Sequence, residues 1–321
     1  MTTDRSPFPF IVACGRSGTT LLRAMLDSHP DFAIPPETRL LTLAKRWRSP
    51  ITPDLVDSFV ADAETFYWFR NFELDGDEVR SRLREEPIPY DYAEAIRRIF
   101  SLYAAARGKS RYGNKTPVHA LSLPELSRMF PESRFIHIIR DGRNAALSFV
   151  EFERGPDTLE WAALRWRRRI RTARRDGIAL GPQRYLEVRY EDLVADPQNV
   201  IERLCEFIEI PFDPQMLNYF ERAQDVVKGH RLPHRFQHLS RPPTAGLRDW
   251  REEMSAAQVR AFEALTGDVL AELGYELASH PSHLAAVAAR TRASSALAVE
   301  AGRRAKRIVS RRLFPSKKES E

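Results

Sequence analysis

Cys14-Gly15-Arg16-Ser17-Gly18-Thr19-Thr20-Leu21-Leu22 follows the apolar run Phe8 to Ala13 and opens an amphipathic segment, so it reads as a strand, a glycine-bearing loop and a helix. Such a turn is suited to receive phosphate. Two glycines let the backbone aim several N–H groups at one point, Thr19 and Thr20 add hydroxyls, and the positive end of the helix dipole favours an anion there. The ATP-binding loop needs Gly-x-x-x-x-Gly-Lys followed by Ser or Thr, and no lysine precedes Thr19 here. Arg16 supplies the positive charge instead, and a guanidinium fork suits a flat, multi-oxygen anion better than a metal-bridged triphosphate. The expected donor is a phosphate ester other than ATP.

Outward from this loop, the pattern alternates strands with helices. After the strand at 8–14 and the helix at 19–28, Pro35-Pro36 marks a loop before an apolar-periodic helix from Thr38 to Trp47. A helical insert lies between about 47 and 107, followed by a short strand at Arg111 to Gly113 and a helix ending near Phe130. Arg134 to Ile139 is apolar enough for a strand buried on both faces. Helices at 142–152 and 158–176, a strand from Tyr185 to Tyr190, and helices at 197–208, 213–222 and 255–273 complete the order. This predicts an α/β fold: a P-loop-like parallel sheet flanked by helices on both faces, forming one domain over 1–280.

With 321 residues, 43% of them hydrophobic, the chain is long enough for a full core. Cys14 and Cys205 are its only cysteines and are expected to serve packing, so no disulfide framework is implied. The net charge of +6 is unevenly placed. Residues 281–321 hold ten Lys or Arg against three acids, leaving the remaining 280 residues near −1. This alanine-rich tail favours a helix, and Leu297, Ile308, Val309, Leu313 and Phe314 interrupt its charge. A solvated helical extension is the plain expectation; contact with an anionic membrane surface comes next, and nucleic acid last. Without a basic n-region leading into an apolar h-region, or an apolar stretch of spanning length, a cytoplasmic protein is expected, peripheral at the membrane if the tail docks there.

Residues 16–30, Arg-Ser-Gly-Thr-Thr-Leu-Leu-Arg-Ala-Met-Leu-Asp-Ser-His-Pro, resemble the 5′-phosphosulfate loop of sulfotransferases that use 3′-phosphoadenylyl sulfate (PAPS). The segment most resembles the tyrosylprotein sulfotransferase branch and its bacterial relatives, and the likeness continues in weaker patches to about residue 277. It implies a metal-free transfer of a sulfuryl group from PAPS to an acceptor hydroxyl on a small molecule, lipid or peptide. Arg16, Ser17, Gly18, Thr19 and Thr20 would hold the 5′ side of the donor. In Arg140-Asp-Gly-Arg-Asn-Ala-Ala-Leu-Ser148, the resemblance assigns Arg140 and Ser148 to the 3′-phosphate, a near-dianion suited to charge-assisted bonds; taken alone, an Arg-Asp-Gly turn is more often a strand exit.

Glu37, aligned without gaps from Arg16, falls on the family's catalytic glutamate, although Pro36 stands where relatives carry another acid; a lone glutamate at a helix start is otherwise a favourable cap. Lys115, in Gly113-Asn114-Lys115-Thr116-Pro117, matches the lysine that touches the transferred group and the bridging oxygen. His119 is the reserve base, by analogy with cytosolic sulfotransferases, and His137 is expected in the core. The resemblance further places Tyr190 near adenine and likens His234 to Pro243, with Gly246 to Arg251, to a loop over the nucleotide that includes Trp250 and Arg251. The arginine-rich stretch from Arg165 to Arg175 reads as a solvated face that could border an acidic acceptor. Two alternatives stand beside this reading: a kinase of related fold needing ATP and Mg²⁺, and a non-catalytic protein that binds membranes or polyanions through its tail.

Overall fold

Among the described residues six strands carry the architecture: β1 (Phe8–Ala13), β2 (Phe32–Ala33), β3 (Arg111–Tyr112), β4 (Asn114–Lys115), β5 (Ser133–Ile139) and β6 (Tyr185–Arg189). The computed structural model describes residues 6–150, 158–222, 239–243, 248–279 and 284–295. Four strands form one parallel sheet in the order β4-β1-β5-β6, while β2 and β3 pair, also in parallel, in a sheet of two. By contact the chain divides into two compact units, Met1–Arg140 with Thr172–Leu247, and Asp141–Arg171 with Arg248–Glu321.

In the first unit the sheet is apolar on both faces because side chains alternate along each strand. Phe8, Phe10 and Val12 enter one core cluster; Ile11 and Ala13 enter the other. The first cluster joins the sheet to the helical insert, where Val56–Glu64 contributes Phe59 and Tyr92–Ala105 contributes Ile96 and Phe100. The second joins it to helices Thr19–Asp27 and Pro197–Ile208 through Leu22, Met25, Ile201 and Leu204. Phe8 meets Phe100, Tyr112 and Phe130 edge-on at 5.0–5.3 Å between ring centres, so truncating it to alanine should cost about 3–5 kcal/mol.

The second unit is helical in its described residues, with Gly142–Val150, Trp250–Glu253, Ala256–Glu272, a helical stretch over 284–295, and part of the long helix Leu159–Ile178. Its centre holds Arg143, 1% exposed in its side chain, between Asp141 at 2.7 Å and Glu263 at 2.6 Å. Glu263 also accepts from the backbone of Ala278 and Ser279, which satisfies a carboxylate that would otherwise be costly to bury. Arg167, Arg171 and Arg290 share Asp268, so part of the arginine-rich face is engaged in ion pairs rather than simply solvated.

Several local expectations change. The helix predicted from Thr38 to Trp47 shrinks to Leu40–Ala44, because the backbone N–H and carbonyl of Thr38 both bond to the Thr116 hydroxyl. The segment predicted as one helix at 213–222 forms two 3₁₀ turns, Pro214–Met216 and Tyr219–Arg222, the first opened by proline and capped by Asp213. The strand predicted at 111–113 is two strands in two sheets; at Gly113 a Cβ would lie 2.9 Å from the Phe32 ring, so a side chain there would block the crossing. Tyr190 is not a strand end but the first residue of helix Tyr190–Ala195. Cys14 and Cys205 are buried thiols outside any disulfide, and His137 is fully buried on β5. Most of the tail at 281–321, with residues 234–238 and 244–247 of the proposed nucleotide loop, lies outside the described residues.

Candidate active site

The four strands of the main sheet run parallel, so their carboxyl ends share one edge, where ligands of open α/β sheets gather. Each strand delivers a sequence-predicted residue or segment to that edge. Lys115 closes β4, the 14–18 loop leaves β1, Arg140 follows β5, and Tyr190 follows β6.

The loop after β1 bends through left-handed backbone at Gly15 (φ 67°), Arg16 (φ 52°) and Gly18 (φ 86°). An arginine in that region carries a conformational cost of about 1–2 kcal/mol, which the loop sustains. Gly18 is the N-cap of helix Thr19–Asp27, whose first turn has neither a side-chain cap nor an acid. The first N–H groups of that helix therefore keep their capacity for an anion. Ser17, fully buried, donates to Gly15 O at 3.1 Å and fixes the bend. A Cβ on Gly18 would sit 2.3 Å from Cδ2 of Tyr190, so the loop and the Tyr190 ring are in close contact. Arg140, 8% exposed, lays its guanidinium 4.5 Å from the centre of the same ring and donates to Arg16 O at 3.3 Å. Burial raises the phenol pKa of Tyr190 while Arg140 opposes the shift, so the ring stays neutral at ordinary pH. Together these groups offer oriented donors and a buried guanidinium to a phosphate-bearing donor.

Lys115 is wholly buried and donates to Oε1 of Glu37 at 2.7 Å, while the Glu37 side chain remains half exposed. Burial lowers the Lys115 pKa, and the Glu37 charge acts against that shift. Glu37 thus has one oxygen on the ammonium and a face toward solvent, from which an acceptor would come. His119 lies in the 3₁₀ turn Pro117–Leu121, 3% exposed. Burial pushes its pKa down to about 4, against a smaller upward influence of Glu37, so the imidazole is neutral at ordinary pH.

In the second unit, Ser148 lies on Gly142–Val150. Trp250 is buried; its backbone N–H donates to Asn144 Oδ1 at 2.9 Å, and its ring faces the guanidinium of Arg143 at 3.8 Å and that of Arg251 at 4.6 Å. Arg251 also donates to Glu276 at 3.1 Å. The sequence reading passed over Arg143 and Asn144, which stand in the first turn of the helix Gly142–Val150. It also passed over Thr38, and over Asn114 and Thr116, whose signal was a run of polar residues around Lys115 where a buried strand would be apolar.

The sulfotransferase family model matches residues 7–214. Human protein-tyrosine sulfotransferase 1 is 27% identical over 298 residues, covering 86% of this chain and 71% of the human protein. The Drosophila melanogaster protein-tyrosine sulfotransferase is 26% identical over 67% of this chain, which spans only 40% of the fly protein. Among solved structures, the sulfotransferase domain from the Synechococcus PCC 7002 olefin synthase superposes with a TM-score of 0.59 at 24% identity, covering 86% of this chain and 98% of that domain, which shows a shared fold. The family match extends over more than half of the sequence: this chain belongs to the sulfotransferase family, enzymes that take a sulfuryl group from PAPS and pass it to an acceptor hydroxyl.

Proposed function

We propose that Glu37 is the base and Lys115 the electrostatic partner in a direct, in-line transfer from PAPS, with Arg16, Ser17, Gly18, Thr19 and Thr20 on its 5′ side and Arg140 on its 3′-phosphate. The observation that carries this reading is the sheet order, which brings Lys115, the glycine loop, Arg140 and Tyr190 to one edge. When bound, PAPS supplies an activated sulfuryl group with a phosphate leaving group. Lys115 offsets the negative charge that builds on the leaving oxygen, Arg16 and the loop N–H groups hold the oxyanions in line, and Glu37 takes the proton from the acceptor hydroxyl. His119, neutral and buried, is held in reserve as base. Ser148, Trp250 and Arg251 are proposed as the remaining nucleotide contacts. The kinase and non-catalytic alternatives fall with the family match.

The acceptor we propose to test first is a tyrosine hydroxyl in a polypeptide, since the relatives are named protein-tyrosine sulfotransferases. Labelled PAPS with a panel of peptides, lipids and phenols, followed by mass detection of added sulfate, identifies it; sulfate on lipids or small phenols but on no peptide tyrosine, or on none of them, would sink the acceptor assignment. For the donor site, the product PAP at 100 times its Kd should add about 2.7 kcal/mol of stability, or roughly 4 °C in Tm for a chain of this length, and ATP with Mg²⁺ should not. We further propose a cytoplasmic enzyme whose basic tail contacts anionic lipid, because ten cations with apolar interruptions suit the negative inner leaflet. Cosedimentation with anionic but not neutral vesicles, lost on removal of 296–321, tests the contact, and cell fractionation tests the placement.

A further inference from the structure

We propose that Thr38, Asn114 and Thr116 form a clasp that sets Glu37 against Lys115 and are positioning residues for the transfer; the inference rests on the roles just assigned to that pair. Glu37 receives the Lys115 ammonium on one carboxylate oxygen. It follows Pro35 and Pro36, which have no N–H to donate, and precedes the helix Leu40–Ala44. Its neighbour Thr38 makes four hydrogen bonds in this cluster, three of them at 3.1 Å or less. The Thr38 N–H donates to Thr116 Oγ1 at 3.0 Å, Thr116 Oγ1 donates to Thr38 O at 3.1 Å, and Asn114 Nδ2 donates to Thr38 Oγ1 at 2.7 Å.

The donor count closes. Thr116 has used its one proton on Thr38 O, so the 3.4 Å contact between the two hydroxyls can only run from Thr38 to Thr116. All three residues are buried, at 0%, 1% and 2% exposure. Asn114 and Thr116 are the residues on either side of Lys115, and Thr116 N–H donates to Ile11 O on β1. The loop bearing the carboxylate is thereby locked, one residue away, to the strand bearing the ammonium and to the centre of the sheet. Packing alone does not call for this. Aliphatic residues would fill the space, whereas a buried polar network with matched donors specifies one register. Asn114 Oδ1 is also buried without a hydrogen-bond partner among the described residues, a cost retained at this place.

The test needs no acceptor. Acetylation of unliganded protein by an amine-reactive ester, followed by peptide mass analysis, reports how often Lys115 is released, with the exposed Lys45 as internal control. Thr116→Val keeps the shape and removes the hydroxyl. It removes every bond from the Thr116 hydroxyl to Thr38, so it should speed Lys115 labelling by at least about 2- to 10-fold, the change in open population that a single net hydrogen bond implies. It should also shift the pH profile of labelling at Lys115 while Lys45 stays unchanged. Thr116→Ser should restore the native rate. On a Glu37→Gln background, Thr116→Val should add nothing, because the pair it positions is already gone. Native labelling in folded Thr116→Val, or an equal further increase on the Glu37→Gln background, would overturn the clasp. Should Thr116→Val fail to fold, Asn114→Ala removes a single bond and serves in its place. Since labelling does not depend on turnover, loss of the catalytic assignment of Glu37 would show separately, as native turnover in Glu37→Gln.

Discussion

Gly18→Ala tests the donor loop where its geometry is tightest. Gly18 has φ 86°, and the added methyl would lie 2.3 and 2.6 Å from Cδ2 and Cε2 of Tyr190. Ordinary carbon contacts sit near 3.5–4.0 Å, so the ring must retreat by about 1 Å or the loop must unwind. Left-handed backbone costs alanine about 1–2 kcal/mol. Overpacking against the ring adds about 1–3 kcal/mol. The expected destabilisation is roughly 2–5 kcal/mol, read from urea unfolding with an unchanged slope. Binding should suffer beyond stability, because a displaced Tyr190 moves the ring on which the Arg140 guanidinium rests. Calorimetry with PAP, at a temperature where the variant is folded, should show weakened affinity. A Tyr190→Ala background separates the parts: with the ring absent, Gly18→Ala should retain only the backbone cost of about 1–2 kcal/mol. If Gly18→Ala unfolds at the native midpoint and binds PAP normally, the loop does not take this conformation and the argument from it fails.

Arg140→Ala should weaken PAP binding by about 1.5–3 kcal/mol for each charged bond removed, measured by calorimetry; native affinity would remove Arg140 from the site. Glu37→Gln should lower turnover by about 10²–10⁴-fold while keeping the PAP thermal shift, and near-native turnover would transfer the role of base to His119. Acid should weaken the fold through two buried imidazoles, held down to about 4 at His119 and about 3 at His137 by burial, against an ordinary 6.5. The unfolded chain takes up protons first as pH falls below 6.5, so their contribution is present above 6.5 and lost progressively down to those folded values; His119→Gln should flatten the fall in urea midpoint between about pH 6.5 and 5, and an unchanged slope would contradict it.

The donor loop was legible because its signal is local: an apolar run, two glycines and an amphipathic segment within fifteen residues, Phe8 to Leu22. Arg140 was legible for the same reason, at the exit of a seven-residue buried strand. What escaped depends on distance along the chain. Two-residue strands such as β2 and β4 have no periodicity to detect, and Gly113 could not announce that the chain changes sheets there. The shortening of the helix after Glu37 follows from a bond between residues 78 positions apart, which overrides a local helical pattern. Tyr190 was placed at the right edge but on the wrong element, since a strand that turns directly into a helix leaves no loop residues to mark the change.

The electrostatics of Lys115 explain why such a site is stable before its donor arrives. An ammonium with no exposure would lose its proton readily if it stood alone, and burial does lower its pKa. Glu37 opposes that shift across 2.7 Å yet stays half exposed, so only one member of the pair bears a full desolvation penalty. Substituting Glu37 therefore removes a base and also takes a charged partner from a buried cation, whereas the clasp residues touch neither charge directly. An anionic donor oxygen reaching Lys115 can take the place of the carboxylate without desolvating the ammonium again.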